Sequence, residues 1–256
     1  MQTMIRGLIS PIETFVRELG RVVLMFAESV YWGVRRPFKL DYIFKQMEFI
    51  GVNSTVVVII TGMFTGMVLA LQSYYGFRKF GAEGLVGATV ALSMTRELGP
   101  VLTSLMVTGR AGSAMAAQLG TMRVTEQIDA LTVMALSPIK YLVTPRIVAG
   151  FLMLPVLTVV SDFIGVVGGY VVGVKLLGIN EGAFIDKMIK YVELNDIYNG
   201  LVKSAVFGII LSSVACYKGF YARGGAEGVG KATTEAVVVS SVTILISDYV
   251  LTSLMF

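Results

Sequence analysis

The stretch Gly84–Val107, GLVGATVALSMTRELGPVLTSLMV, decides the fold class of this chain. It is apolar or small-residue throughout, except for the adjacent charged pair Arg96 and Glu97. It is also long enough to cross a bilayer, which needs about 20 predominantly apolar residues. A charge at bilayer depth costs roughly 3 kcal/mol or more, so it usually faces a bundle interior or a wet cavity. We therefore expect a membrane-spanning helix whose charged pair meets polar partners.

The composition of the whole chain also indicates an integral membrane protein. Of its 256 residues, 55% are hydrophobic and 15% are charged, whereas soluble domains carry about 25% charged residues. The net charge of +4 is modest, and we expect no nucleic-acid partner. The chain has no histidine and a single cysteine, Cys216. These counts argue against a metalloenzyme or a histidine-based hydrolase and exclude an internal disulfide, so we expect no metal and no cofactor in this chain.

Four further runs of similar length carry at most one charge each. The five expected spans are Phe49–Phe77, Gly84–Val107, Ile147–Val174, Ile197–Tyr217 and Ala236–Phe256. We therefore predict an all-α integral membrane fold with five transmembrane helices. Residues 1–48 are expected to form an N-terminal interfacial segment, and residues 49–256 the five-span domain.

Lysine and arginine are unevenly distributed about these spans. The N-terminal segment and the second and fourth connections hold 14 of them, against 6 on the opposite side. The smaller group includes Lys203, which is expected to snorkel from the fourth span to the external interface. Because positively charged loops stay in the cytoplasm, the N-terminus is expected to be cytoplasmic and the C-terminus periplasmic.

Two amphipathic segments accompany the spans. Ile12, Leu19 and Phe26 belong to a series of apolar residues at helical spacing, which predicts a helix lying in the cytoplasmic interface. A helix packed on the bundle explains the same spacing. On the external side, residues 180–194 form a second candidate helix that Asn180 can cap, either to brace the bundle or to meet an external partner; we favour bracing.

The charges inside the spans admit a functional and a structural interpretation. Adjacent helical residues point about 100° apart, so Arg96 and Glu97 are each expected to find a partner on another span or on a second copy. Gly99–Pro100 follow, and proline tends to kink a helix. A kinked, charged segment suits a substrate path, and we place Asp248 on it with the pair. The alternative is a structural ion pair.

For Asp162 we favour a hydrogen bond to a neighbouring helix or a neutral carboxyl.

The cytoplasmic connection from Arg110 to Arg146 contains a short candidate helix. One face is apolar, with Val124, Ile128, Leu131 and Ala135. This helix either lies on the membrane or docks into a separate ATPase as a coupling helix. The residues assigned to ATPase coupling are Arg123, Glu126, Gln127, Asp129 and Leu131.

A glycine-rich segment, GAEGVGKA at residues 225–232, is close to a nucleotide-binding P-loop. Ala232 stands where Ser or Thr should hold Mg²⁺, and an apolar span rather than a strand precedes it. We therefore reject nucleotide binding here and expect ATP hydrolysis in another subunit.

Together these segments resemble the MlaE family of ABC-transporter permeases. The resemblance rests on RELGP at 96–100, GRAGSA at 109–114, GTMRVTEQIDAL at 120–131, GAEGVGKATT at 225–234 and DYVLTSLMF at 248–256. It covers nearly the whole chain and implies a homodimeric, non-catalytic permease in the bacterial inner membrane. It also implies a cytoplasmic ABC ATPase that binds ATP and Mg²⁺ and contacts residues 121–136.

The resemblance further implies a periplasmic MCE-domain protein, often a small STAS-domain protein, and a phospholipid or related lipid as substrate. The central cavity of the family lies between two copies, and its charged pair corresponds to Arg96 and Glu97. An amphipathic cavity with Arg96 near the phosphate suits a lipid. A secondary transporter of amphipathic substrates driven by an ion gradient is the alternative, with Arg96, Glu97 and Asp248 as a proton relay. A lipid-modifying enzyme has no nucleophile–base pair to support it.

Overall fold

The chain folds into a bundle of long helices. The computed structural model describes residues 2–35 and 40–255, with side chains from residue 17 onward, and no strand occurs among these residues. The helices are α1 (Gln2–Val34), α2 (Leu40–Ile50), α3 (Thr55–Arg78), α4 (Val86–Ser93), α5 (Gly99–Val107), α6 (Ser113–Val124), α7 (Gln127–Val133), α8 (Thr144–Tyr170), α9 (Glu181–Tyr191), α10 (Leu194–Phe220) and α11 (Gly225–Met255).

Four helical segments of the described chain are long and apolar enough to cross a membrane. They are Leu40–Arg78, Ile139–Leu176, Leu194–Phe220 and Gly225–Met255, and they contain the first, third, fourth and fifth predicted spans up to Met255, since Phe256 lies outside the described residues. The second predicted span, 84–107, is helical as well, but Arg96 and Glu97 make it less apolar than the other four. The count of five transmembrane helices therefore stays a prediction.

The helix that contains Arg96 is much longer than expected. Helical backbone runs without a break from Val86 to Val124, with π-helical turns at Met94–Leu98 and Thr108–Gly112. At about 1.5 Å per residue, this is nearly twice the roughly 30 Å thickness of the hydrocarbon core. The predicted connection from Arg110 to Arg146 is therefore wrong in its bounds. Hydropathy identifies only the apolar part of a helix. The polar residues that continue the same helix look like a loop in the sequence.

Helices α3 and α8 approach each other through glycines. A Cβ on Gly62 would lie 2.8 Å from the backbone oxygen of Ser161, and one on Gly66 would overlap the backbone oxygen of Gly165. Such contacts need small residues four apart on both helices. Gly62 and Gly66 therefore allow the backbones of α3 and α8 to meet directly.

Helix α1 lies against the bundle through one of its sides. Met25 and Ser29 are buried, and the Ser29 hydroxyl donates to Oγ1 of Thr144 in α8 at 3.2 Å. The opposite side carries exposed apolar residues such as Leu24 and Val34. Over its described side chains, α1 thus combines the two predicted arrangements, bundle packing and an outward apolar face. The side chains of Ile12, Phe15 and Val16 lie outside the described residues.

The short helix α9 has the predicted cap and packs on the bundle. Asn180 accepts a hydrogen bond from the backbone nitrogen of Ala183 at 3.0 Å. Phe184 is 1% exposed, and its ring lies edge-on to Tyr170, 5.8 Å between centroids. These contacts favour the bracing interpretation of α9.

We expect Gly66→Ala to destabilise the protein by roughly 1–3 kcal/mol, because its methyl group would push α3 away from α8. Gly76→Ala, on the same helix, is the matched control: nothing lies within 4 Å of its new Cβ, and alanine raises helix propensity by up to about 1 kcal/mol. The unfolding temperature in detergent measures both. Equal unfolding temperatures for the two variants would contradict the close packing.

Candidate functional site

Pro100 removes one backbone hydrogen bond from the helix beside the charged pair. Arg96 and Glu97 lie in the π-helical turn Met94–Leu98, and Pro100 stands two residues beyond it. Because proline has no N–H, the carbonyl of Arg96, four residues earlier, lacks its α-helical donor. The Lys203 ammonium of α10 donates to this carbonyl at 3.1 Å. A side chain from a neighbouring helix thus satisfies the group that Pro100 leaves open.

Lys203 is the centre of a charge cluster that joins three helical segments. Its side chain is fully buried. The ammonium lies 2.7 Å from Oε2 of Glu97 and donates to Oγ1 of Thr252 in α11, also at 2.7 Å. Asp248 Oδ1 lies 3.2 Å from the ammonium and forms a second ion pair with it. We call Glu97, Lys203, Asp248 and Thr252, together with the Arg96–Asp196 pair described next, the charge network.

Arg96 forms a further ion pair of the charge network. Its Nε donates to Oδ1 of Asp196 at 2.7 Å, while the other oxygen of Asp196 accepts from the backbone nitrogen of Glu193 at 2.9 Å. Asp196 therefore caps the start of α10 and holds Arg96 at once. A Cβ on Gly200, one turn further, would overlap the carbonyl oxygen of Thr95. The first turns of α10 are thus fixed against the π-helical turn.

The prediction that Arg96 and Glu97 find separate partners on other helices is confirmed. The expectation that Lys203 snorkels to the external interface is wrong, because α10 is largely buried and its lysine points between helices. Lys203 and Asp196 were not assigned to the site from the sequence. A usable signal existed: they stand seven residues apart on one face of α10, with Gly200 between them.

The charge network lies toward one end of the bundle. Asp196 is in the first turn of α10, and Asp248 and Thr252 are in the last turns of α11. The helix that carries the pair was expected to end at Val107. It continues to Val124, so the pair lies nearer to one end of this helix than expected. Arg96 and Glu97 keep 37% and 36% of their side chains exposed. The network therefore presents both signs of charge at the surface of the single chain.

Asp162 of α8 stands apart from these contacts. Its Oδ1 atom is buried and has no hydrogen-bond partner among the described residues. The atom lies against Gly99, whose Cβ position it occupies. The hydrogen bond expected from Asp162 to a neighbouring helix is thus not found for this oxygen. No group of three or more metal-ligating side chains occurs in the part of the chain that the structure describes.

The segment assigned to ATPase coupling lies at the opposite end, in and beside α7. Arg123 pairs with Asp129 at 2.6 Å, while Glu126 and Gln127 are exposed and Leu131 is half-buried. Two non-glycine residues with positive φ, Glu126 at 59° and Ala135 at 57°, bracket the helix, a backbone conformation that is uncommon outside glycine. Sharp turns therefore set the direction of α7 at both ends.

The apolar face predicted for this helix is only partly present. Ile128 is buried and Leu131 half-buried, but Val124 ends α6 and is 40% exposed, and Ala135 follows α7. The predicted helix was too long, because the turn at Glu126 breaks it. Val133, 87% exposed, and Met134 extend the apolar surface at its end instead.

Arg110 forms a further polar junction near the start of α3. Its Nε donates to Oγ of Ser54 at 2.7 Å, and a terminal guanidinium nitrogen donates to the backbone oxygen of Phe49. Arginine thus satisfies a carbonyl that the end of α2 leaves open. The sequence assigned Arg110 to a loop, so this role was missed. Arg146, assigned to the same loop, is buried in α8 and donates to Gln118 at 3.2 Å.

We expect Lys203→Met to destabilise the protein by roughly 3–5 kcal/mol, because it leaves Glu97 and Asp248 side by side without their cation. The unfolding temperature in detergent measures the effect, with Lys190→Met, at an exposed position of α9, as control. Adding Asp248→Asn to Lys203→Met should recover part of the loss. A Lys203→Met protein as stable as the control would show that the charge network does not hold the helices together.

The sequence of this chain matches a known protein family. The family model described as Permease MlaE matches residues 43–254. A probable ABC transporter permease protein of Rickettsia conorii is 50% identical over 242 residues, 94% of this chain and 93% of that protein. The intermembrane phospholipid transport system permease protein MlaE of Haemophilus influenzae is 40% identical over 245 residues, with the same two coverages. The chloroplastic protein TRIGALACTOSYLDIACYLGLYCEROL 1 of Arabidopsis thaliana is 39% identical over 252 residues, 98% of this chain and 68% of that protein.

Proposed function

Because the chain belongs to the MlaE permease family, we propose that it is the membrane subunit of an ABC transporter that moves phospholipids between the inner and outer membranes. One observation carries the proposal: 40% identity, over 94% of the chain, to the Haemophilus influenzae permease named for intermembrane phospholipid transport. The chemistry of the charge network supports it, since a phospholipid has a charged head group and apolar tails.

The proposed path lies where the charge network meets the surface, between two copies of the chain. Arg96 contacts the phosphate of the lipid, and Glu97 and Asp248 lie beside it, where an ammonium head group is also accommodated. Apolar residues of α11, among them Tyr249 and Leu254, are exposed next to this site. A second copy that covers this face of α11 would enclose the head group and leave apolar walls for the tails.

The proposed membrane arrangement has five spans, with residues 84–107 as the second. The N-terminus is cytoplasmic and the C-terminus periplasmic in the bacterial inner membrane. This orientation puts the charge network on the periplasmic side, where an MCE-domain protein receives or delivers the lipid, and α7 on the cytoplasmic side. A cytoplasmic ABC ATPase, joined by a STAS-domain protein, binds ATP and Mg²⁺ and docks at α7 through Arg123, Glu126, Gln127, Asp129 and Leu131.

The alternative is a secondary transporter driven by an ion gradient. The buried ammonium of Lys203 between Glu97 and Asp248 favours it, because such a cluster can pass a proton. Lipid transport by reconstituted complex separates the two mechanisms. Transport that needs ATP supports the ABC transporter, whereas transport that persists without ATP and stops when the proton gradient collapses supports the alternative.

We expect Asp129→Lys to release the ATPase, because it removes the partner of Arg123 and reverses the charge of the exposed face of α7. Glu126→Lys should act in the same direction. Native mass spectrometry of the complex, purified from its host through a tag on this chain, measures the loss. The unaltered complex should contain two permeases, two ATPases and bound phospholipid, and so should the control Lys190→Glu on α9. A full complement of ATPase in both α7 variants would disprove the coupling assignment.

We expect Arg96→Gln to lower the amount of phospholipid that copurifies with the complex, because one charge-assisted contact to the phosphate is lost. Lipid extraction and mass spectrometry of the washed complex give the amount per chain. Arg78→Gln, at the exposed end of α3, is the control. The unfolding temperature shows whether loss of the Asp196 partner has disturbed the fold. Unchanged lipid content in a folded variant would remove Arg96 from the path.

A further inference from the structure

A second amphipathic cavity lies between α1, α10 and α11, at the end of the bundle opposite the charge network. It consists of two adjoining parts that share Glu18, Tyr217 and Lys218. One part, of about 300 Å³, is a groove, and the other, of about 340 Å³, is a polar pocket. The groove is walled mainly by apolar side chains of the three helices, such as Val22, Phe26, Ile209, Val214 and Val239. We call these parts the α1 groove and the basic pocket.

The basic pocket carries an excess of positive charge. Its lining contains four basic side chains, Arg21, Lys218, Arg223 and Lys231, and two acidic ones, Glu18 and Glu235. Lys218 is held between both acids, 3.1 Å from Glu18 and 3.0 Å from Glu235. The acids thus balance Lys218 and one further cation, and the remaining charge is available to an anion.

The α1 groove has the length of one lipid leaflet. From Lys218 to Ile209 it follows α10 over nine residue steps, about 14 Å at 1.5 Å per residue. Half of a hydrocarbon core is about 15 Å. Ser213 lines the groove between these two levels, and its buried hydroxyl has no hydrogen-bond partner among the described residues. In a glycerophospholipid whose phosphate lies near Lys218, the ester carbonyl oxygens lie at about the level of Ser213.

We infer that this cavity is a second lipid site, which holds an anionic glycerophospholipid of the leaflet at this end of the bundle. The phosphate lies in the basic pocket on Arg21 and Arg223, beside Lys218, and one acyl chain fills the α1 groove. The lipid fastens α1 to α10 and α11 and is not the transported molecule. The identity of the leaflet, cytoplasmic, and the complex used in the test rest on the proposed function, whereas the cavity and its lining do not.

Charge gives this site a preference among lipids. A zwitterionic lipid such as phosphatidylethanolamine brings an ammonium group into a pocket that is already positive. Phosphatidylglycerol brings the phosphate with no compensating cation. Each basic residue near an anionic lipid contributes about 1 kcal/mol, so two such residues correspond to a roughly thirtyfold difference in affinity.

Native mass spectrometry of the complex, titrated with phosphatidylglycerol or phosphatidylethanolamine in mixed micelles, tests the site. We expect the unaltered complex to retain phosphatidylglycerol in preference to phosphatidylethanolamine. Arg21→Gln/Arg223→Gln should lower retention of phosphatidylglycerol ten- to thirtyfold. Arg35→Gln/Lys45→Gln removes the same charge from residues that do not line the cavity and should retain the lipid. Val239→Trp, which fills the α1 groove and leaves the basic pocket intact, should also lose it.

Equal retention of the two lipids, or retention of phosphatidylglycerol by both the double arginine variant and Val239→Trp, would overturn the inference. Loss in the arginine variant alone would mean that the pocket binds only a head group, which overturns the acyl-chain part. The readout is independent of transport. A complex that retains this lipid but moves none would keep the second site and disprove the proposed function, and Arg96→Gln should leave retention in the α1 groove unchanged.

Discussion

One interaction organises this molecule: the Lys203 ammonium donates to a backbone carbonyl that Pro100 leaves without its helical donor. Pro100 deprives the carbonyl of Arg96 of its donor, and Lys203 supplies one from α10. The same ammonium then meets Glu97 and reaches α11 through Thr252. A buried lysine is tolerable only where such partners surround it. The position of α10 relative to the other two segments is therefore set by polar contacts together with the close approach of Gly200 to the carbonyl of Thr95.

Small residues determine how closely the helices pack in the other half of the bundle. Helices α3 and α8 meet backbone to backbone at Gly62, Gly66 and Gly165, and α8 meets α10 in the same way at Gly150 and Gly208. Contacts of this kind have little freedom, because main-chain atoms cannot change rotamer. By contrast, α11 is the least buried of the four long apolar segments. The protein thus combines a closely packed frame of α3, α8 and α10 with a last helix that leaves most of its apolar surface exposed in a single chain.

The sequence predicted the helices well and their ends poorly. Long apolar runs identify the segments around α3, α8, α10 and α11, because only helices satisfy every backbone group within lipid. Hydropathy fails at Val107, where the helix continues to Val124, since the helical backbone does not stop where the lipid stops. The capped helix α9 was predictable because the Asn180 cap is local. At α7, by contrast, the turn at Glu126 has no signature, as it is formed by a residue that rarely adopts a positive φ.

The sequence predicted only some residues of the charge network. Arg96, Glu97 and Asp248 stand out because each charge interrupts an apolar run, whereas Lys203 stands near the end of its run and looked like an interface residue. Which charges pair across helices depends on helix rotation and depth, which a single sequence does not state. The spacing of Asp196, Gly200 and Lys203 on one face was the available clue, and it gains meaning only once Pro100 is seen to leave a carbonyl open.

The position of Lys203 in the chain also affects how the protein is made. A ribosome delivers α10 to the membrane before α11 exists, so Lys203 enters without Asp248 or Thr252. Inserting a lysine into an isolated apolar helix costs up to about 3 kcal/mol, and less toward the ends of the helix. The segment that carries Glu97 and the open carbonyl of Arg96 precedes α10 in the chain, so it is synthesised first. We therefore expect the earlier segment to lower the cost of inserting α10, and α11 to complete the cluster afterwards.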